Sequence, residues 1–405
     1  MSLFFATFFF IYGLAHSYVF LNARRAFHPR TAPAIILALI MLAMMLLPVA
    51  VRFLEREGHE AAASAAAYLG YTWMGALFLF VTASLCIDAC RLCIYGVEFV
   101  SAKNLSRIIS AYRYLFLIPL FCSLCAVAYG CYEAEQIKVE RIIVRTEKIP
   151  EKMGTLKVVQ ISDVHLGLIV QEGRLRKILA VVRELSPDIL VSTGDLVDGQ
   201  LNHLRGLVDP LKEINPPLGK FAILGNHEFY AGVGTSVSFM EGAGFTVLRG
   251  TGVTVGEAVN IAGLDDPTSR AFGLPQVSEK DLLSGLPQNK FTLLLKHRPA
   301  VDPDAIGLFD LQLSGHTHKG QIFPFRYVVK LFFPMYNGFF KLSAISSLYA
   351  SRGSGTWGPP IRFLTPPEVT LIELVHEAKK QGSFSGSSGF SCFSGSITKE
   401  TKETK

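Results

Sequence analysis

"LKVVQISDVHLG" (residues 156–167) opens as a largely apolar run and ends on Asp163 and His165. Such a short run, rich in Val and Ile and lacking strict alternation, reads as a strand covered on both faces. "GRLRKILAVVREL" (173–185) follows with apolar residues at helical spacing, then Pro187 and a second strand, "DILVST". Strand, turn, helix and strand in succession indicate parallel strands joined by crossover helices. "GKFAILG" (219–225) repeats the theme ahead of a helix near 234–242, and "AVNIAGL", "FTLLLKH" and "LFDLQLSG" add strands with shorter helices between them. The expected fold class is α/β (α+β), a two-sheet sandwich. "EVTLIELVHE" closes it and, by its alternation, reads as an edge strand.

The strand ends carry chemistry. Asp163 and His165 follow the first strand, Asp195 the second in "VSTGDLVDG", and Asn226 and His227 the third in "ILGNHEFY". "LLLKHRP" offers His297, and "SGHTHKGQ" (314–321) offers His316 and His318. Ligands of α/β sheets gather at the carboxyl ends of strands, so these side chains can converge on one crevice. Gly194, Gly225 and Gly315 each stand immediately before one of them, where a residue without Cβ lets backbone turn sharply and approach an ion. Carboxylate, imidazole and carboxamide together suit Mn, Fe or Zn better than an all-oxygen calcium site.

In this order the blocks "DVH", "GDLVD", "GNHE", "KHRP" and "GHTH" resemble those of the calcineurin-like metallophosphoesterases, over roughly residues 155–375. The whole chain is similar to bacterial members of that family that carry N-terminal membrane spans. The resemblance implies an αββα sandwich and two divalent metal ions. Asp163, His165 and His318 would hold one, Asn226, His297 and His316 the other, and Asp195 would bridge them. It also implies hydrolysis of phosphomono- or phosphodiesters by a metal-activated hydroxide, without a serine or cysteine nucleophile. His227 would be the catalytic acid. Lys319 is a departure, since the resemblance leads one to expect glycine after the second histidine.

The N-terminal third is different in kind. Half of all residues are apolar and only 18% are charged, and the gaps in charge are clustered. None precedes Arg24, and none lies in 31–51, 61–87 or 114–132. Since a membrane helix needs about 20 apolar residues, four spans fit, at roughly 3–21, 32–51, 65–87 and 114–132. Arg24 and Arg25 come after the first apolar run, whereas a signal peptide carries its charge before it. Arginines and lysines concentrate in the first and third loops (Arg24, Arg25, Arg30; Arg91, Lys103, Arg107, Arg113). With those loops inside, the chain after Glu133 is expected outside the cytoplasm. The expected location is the plasma or inner membrane, as a multi-pass protein with the lipid bilayer as one partner.

The expected organisation is therefore a four-helix transmembrane region (1–132), a connector (133–154), a metallophosphoesterase domain (155–378) and a tail (379–405) to which no structure is assigned. The tail is Ser/Gly-rich and then charged, too poor in apolar residues to order itself. Six cysteines lie before residue 132 and one, Cys392, in the tail. The two Cys-x-x-Cys spacings, 90–93 and 122–125, fall at different membrane depths and read as packing residues rather than a zinc site. The net charge of +6 is spread out, with no basic, aromatic-interleaved stripe for nucleic acid and no signal for a protein partner.

The remaining residues divide between plain and specific roles. Arg352, in "SRGSGTWGPPIRF", is either a substrate-binding fork for a phosphate or half of a structural ion pair, and Arg298 is a weaker case. His28, His59, His203 and His376 read as ordinary surface or core residues, and Asp198, Asp265 and Asp266 as turn residues, with support of a neighbouring site residue as the alternative. His16 falls within the first span. "IFPFRYVVKLFFPMYNGFFK" (322–341) reads either as a hairpin insertion or as an apolar flap whose basic residues rest on lipid headgroups. A flap there would favour an amphiphilic phosphate ester as substrate. The alternative to an enzyme is a binding or scaffold module on the same fold that has lost turnover.

Overall fold

A computed structural model describes residues 2–101, 112–199, 205–378 and 397–401. The chain divides into two compact units, 1–133 with 358–363, and 134–357 with 364–405. His203, Lys103, Arg107, Cys392 and most of the 379–405 tail lie outside the described residues.

The first unit is built from four helices long and apolar enough to cross a membrane: α1 Ser2–Phe27, α2 Thr31–Arg56, α3 Glu60–Ser101 and α4 Tyr112–Ala134. They are apolar nearly all round, and much of that surface faces outward: Phe10, Ile11, Leu39, Phe53 and Phe121 are all exposed. A helix with no polar face suggests association with a membrane. A smaller interior, Tyr12, Val19, Met41, Leu77 and Phe80, ties α1, α2 and α3 together. His16 lies there with both ring nitrogens engaged, Nδ1 at 2.8 Å from the Tyr12 carbonyl and Nε2 accepting from Trp73 at 3.0 Å. Those bonds give it a packing role. α3 continues to Ser101, past the apolar stretch that ends at Ile87, because no proline or polar turn interrupts it.

The second unit holds two sheets. In chain order its elements are β1 Lys138–Thr146, β2 Thr155–Ile161, α5 Glu172–Leu185, β3 Ile189–Ser192, α6 Val208–Lys212 and β4 Lys220–Ala222. Then come α7 Asn226–Ala231, α8 Val233–Gly242, β5 Thr246–Val247, β6 Thr251–Val255, β7 Val259–Gly263, α9 Glu279–Ser284 and β8 Phe291–Leu295. β9 Leu311–Ser314, α10 Arg326–Phe332, β10 Gly338–Lys341, β11 Ser347–Ala350, β12 Glu368–His376 and β13 Ile397–Thr401 complete it. One sheet has the order β13-β1-β12-β2-β3-β4-β5, the other β10-β11-β9-β8-β7-β6. β2 to β5 run parallel, as do β7, β8, β9 and β11.

The layers follow from the two-residue period of a strand. Val158, Ile189, Val191, Leu293, Leu295 and Leu313 point between the sheets. Their neighbours Val159, Ile161 and Leu190 face the other way, against Leu175, Ile178, Leu179 and Val182 of α5. On the far side of the second sheet, Ala262 and Leu294 pack with Leu283 of α9 and with Phe309. Helix, sheet, sheet and helix is the αββα arrangement, and burial on both faces explains the continuous apolar runs.

Four expectations need correction. The connector contributes β1, whose Ile142 and Val144 are buried between the sheets, paired in parallel with β12 from Lys138↔Glu368 to Thr146↔His376. β12 is an interior strand, parallel to β1 on one side and antiparallel to β2 on the other. Its alternation misleads because Glu368 and Thr370 are buried with internal partners instead of facing water. Within the tail, residues 397–401 form β13, antiparallel to β1; backbone pairing at a sheet edge needs no apolar core. The 322–341 stretch is not a self-contained hairpin: it forms α10 and then β10, which is the first strand of a hairpin with β11.

Candidate metal centre

The parallel strands deliver the expected ligands to one place. Asp163 leaves β2, Asp195 leaves β3, Asn226 opens α7 just past β4, His297 leaves β8, and His316 and His318 leave β9. The turns are stitched to one another: Asp163 N donates to the Gly194 carbonyl, His165 N to that of Asp195, and Gly315 N to that of His297. Five of the seven residues, Asp163, His165, Asp195, His316 and His318, have φ between 47° and 71°. Each such residue carries on the order of 1–3 kcal/mol of strain, a cost met mainly at functional sites. The three glycines fit for steric reasons. A Cβ on Gly225 would collide with the Asp195 carboxylate, and one on Gly315 with Ser162 Oγ and Asp163 Oδ2. At Gly194, φ is +91° and an added Cβ would stand 2.7 Å from both Gly225 N and His297 Nδ1.

The ligand atoms form three overlapping groups: Asp163, His165 and His318; His165, Asp195 and His227; Asp195, His297 and His316. Within each group they lie no more than 4.8 Å apart. His165 Nε2 faces His318 Nε2 at 3.0 Å, and His297 Nε2 faces His316 Nδ1 at 3.2 Å. Asp195 Oδ2 stands between the pairs, 3.1 Å from His297 Nε2 and 3.8 Å from His165 Nε2.

The donor set fits divalent cations. His297 Nδ1 donates to the Thr193 carbonyl at 2.8 Å, so in the neutral ring Nε2 is a bare lone pair. That nitrogen faces a carboxylate oxygen and another imidazole nitrogen, so the position calls for positive charge, either a proton on Nε2 or a divalent cation in its place. Asn226 Oδ1 is buried without a hydrogen-bond partner, a costly condition for a carboxamide oxygen that coordination would relieve. Orienting bonds from backbone to the remaining atoms of ligands are the usual support of metal sites. Besides the His297 bond, Asp163 Oδ1 accepts from His316 N at 2.8 Å, and Asp195 Oδ1 from His227 N at 2.9 Å.

Charge in the centre divides in the same sense. Burial holds the His165 and His316 imidazoles neutral, pulling them down to about 4 and about 3. Burial also pulls on His297, but Asp195 and Asp163 outweigh it and raise the ring to about 10. Burial raises Asp163 to about 6, whereas Asp195, despite burial, is held well below the usual carboxylate range by His297 and His227. The pocket thus combines neutral imidazoles at His165 and His316 with an ionised Asp195 that draws positive charge toward it, as the raised His297 shows.

His227 differs from the ligands. Its Nδ1 is 2.8 Å from Asp198 Oδ1. Burial lowers its affinity for a proton, yet Asp195 and Asp198 prevail and hold the imidazole at about 9. Asp198, for which the sequence offered a turn role and a supporting role, takes the second: it orients this histidine and helps to charge it. Glu228 was not singled out at all. Its carboxylate accepts from Gly225 N at 2.7 Å, Asp195 N at 2.9 Å and Val197 N at 3.1 Å, locking two ligand loops together.

Two arginines are engaged elsewhere. Arg352 is buried, its Nη2 2.7 Å from Glu140 Oε1 and its Nε 2.7 Å from Glu368 Oε2. Of the two readings offered for it, the structural ion pair is the one observed, and the substrate-binding assignment is corrected. Arg298 makes a fork with Asp266 at 2.7 and 2.9 Å. Lys319 takes φ 53°, a left-handed position where glycine would sit without strain. The rim is aromatic: Tyr230 and Trp357 each stand 5.7 Å from the His227 ring, and Phe333 stands 5.1 Å from His316.

A two-sheet sandwich with carboxylates and imidazoles gathered at its strand ends can hold metal ions, and comparison with known proteins gives the family. Residues 156–320 match the family described as calcineurin-like phosphoesterase. An uncharacterized metallophosphoesterase of Aquifex aeolicus is 40% identical over 258 residues, 63% of this chain and 98% of that one. One of Campylobacter jejuni is 31% identical over 316 residues, covering 76% of this chain and 83% of its own. A zebrafish (Danio rerio) protein described as a transmembrane protein with metallophosphoesterase domain is 32% identical, over 65% of this chain and 63% of that protein. The chain belongs to the calcineurin-like metallophosphoesterase family.

Proposed function

We propose that this protein is a membrane-anchored phosphoesterase that holds two divalent cations and hydrolyses phosphomono- or phosphodiesters. The observation that carries the reading is the two imidazole couples, 3.0 and 3.2 Å apart, on either side of one buried aspartate. Asp163, His165 and His318 would hold one ion and Asn226, His297 and His316 the other, with Asp195 shared. When bound, such a pair supplies Lewis-acid polarisation of phosphoryl oxygens and a more acidic water.

The chain's own groups do the rest. His227, kept protonated by Asp195 and Asp198 and oriented through Nδ1 by Asp198, would donate a proton to the departing oxygen. Gly194, Gly225 and Gly315 let the ligand loops close on one another. Tyr230 and Trp357 flank His227 with aromatic faces on the leaving-group side.

The test is hydrolysis of p-nitrophenyl phosphate and bis(p-nitrophenyl) phosphate by the detergent-purified chain, with Mn²⁺ and after chelation. Activity should require metal, and His316→Ala or Asp195→Asn should lower kcat/KM by roughly 10³-fold or more. Full activity in either variant contradicts the proposal.

The arginines of the first and third loops favour an extracytoplasmic catalytic unit. Alkaline phosphatase fused after residue 378 would then be active in a bacterial host, and an inactive fusion at normal expression reverses the orientation.

A further inference from the structure

From Phe323 to Ile345 no residue is buried, although the segment contains six phenylalanines besides Tyr, Leu, Val and Met. Within it α10 exposes Tyr327, Val328, Leu331 and Phe332, and Phe325 precedes it; Leu331 is 80% and Phe332 75% exposed. A contiguous apolar surface on such a helix marks an interaction site.

Its occupant is indicated by charge. Between Asp310 and Glu368 there is no acidic residue, and α10 and its flank carry Arg326, Lys330 and Lys341. The Arg326 guanidinium lies over the Phe323 and Tyr327 rings, at 4.7 and 5.2 Å from their centroids, so cation and apolar face belong to one surface. Apolar side chains interleaved with basic ones, and free of acids, complement an anionic bilayer surface. Chain connectivity agrees, because Ala134 ends the last apolar helix and Lys138 begins β1.

The segment is also wired to the metal centre. Phe333, just past α10, packs edge-on to His316, and Thr317 Oγ1 donates to the Tyr336 carbonyl at 2.5 Å.

We propose that α10 and its flanks dock on an anionic lipid surface and admit phosphate esters presented at headgroup level to the His316 side of the site. The substrate-class part rests on the phosphoesterase reading above; the docking part does not.

The experiment uses the full chain in single-copy nanodiscs of phosphatidylcholine, of phosphatidylcholine mixed with phosphatidylglycerol, and in maltoside micelles. Hydrogen exchange is followed in peptides covering 322–341. Exchange should slow several-fold in the phosphatidylglycerol discs relative to the other two. A Leu331→Glu/Phe332→Glu chain should lose that protection while its β2 and β3 peptides exchange as in the parent; both side chains are exposed, so folding is spared. Equal exchange in all three environments overturns docking, as does protection that appears only with two copies per disc. Hydrolysis of p-nitrophenyl phosphate is measured on the same samples. Protection without metal-dependent hydrolysis would sink the enzyme reading alone, and hydrolysis without protection would sink the docking alone.

Discussion

Asp163, His165, Asp195, His316 and His318 occupy left-handed backbone, and nothing in their residue types announces it. Their identities were legible because carboxylates and imidazoles stood where strands end. Partners of other side chains were not, because they depend on which distant segment folds alongside. Arg352 meets Glu140, 212 positions away, and Glu368. Asp198 matters because its carboxylate reaches His227. That contact gives a prediction with a sign. Against burial, Asp195 and then Asp198 raise the His227 pKa to about 9, and an acid works only below its pKa. In Asp198→Asn the imidazole therefore loses its proton at lower pH, and the alkaline limb of kcat moves down by about one unit or more. For a poor alkyl leaving group kcat falls roughly 10–100-fold, with a much smaller fall for p-nitrophenol, which needs little protonation. Equal losses on both leaving groups with an unmoved pH profile would assign Asp198 a structural role only.

At the scale of elements, runs such as "FTLLLKH" announced their strands because burial on both faces removes polar alternation. β12 was misplaced at an edge for the converse reason, since its polar positions are satisfied inside by Tyr349 and Arg352. β1 looked like a connector because its charges at Lys138, Arg141 and Arg145 hide two buried residues, Ile142 and Val144. The loops between strands are held by the absence of side chains. Gly315→Ala should push Ser162 and Asp163 from their places and weaken metal affinity by about 10–100-fold. Gly173→Ala, where a Cβ meets nothing within 4 Å, should leave it unchanged. Titration of the chelated protein with Mn²⁺ distinguishes them, and equal affinities would show that the ligand loops tolerate the extra carbon.

For the molecule as a whole, four apolar helices and a two-sheet sandwich have separate reasons to fold, one exposing its apolar surface and the other enclosing it. Charge gaps made the first visible, and ordered ligand blocks the second. The sandwich brings residues 163 to 318 into one pocket where imidazole nitrogens face one another across an aspartate and a buried carboxamide oxygen has no hydrogen-bond partner. The most direct test of that claim is elemental analysis of the purified chain after dialysis from Mn²⁺ or Zn²⁺. We predict about two bound ions per chain, with clear loss in both His316→Ala and His318→Ala. A folded chain that retains no stoichiometric metal, or one whose content is the same in those variants, would contradict the account.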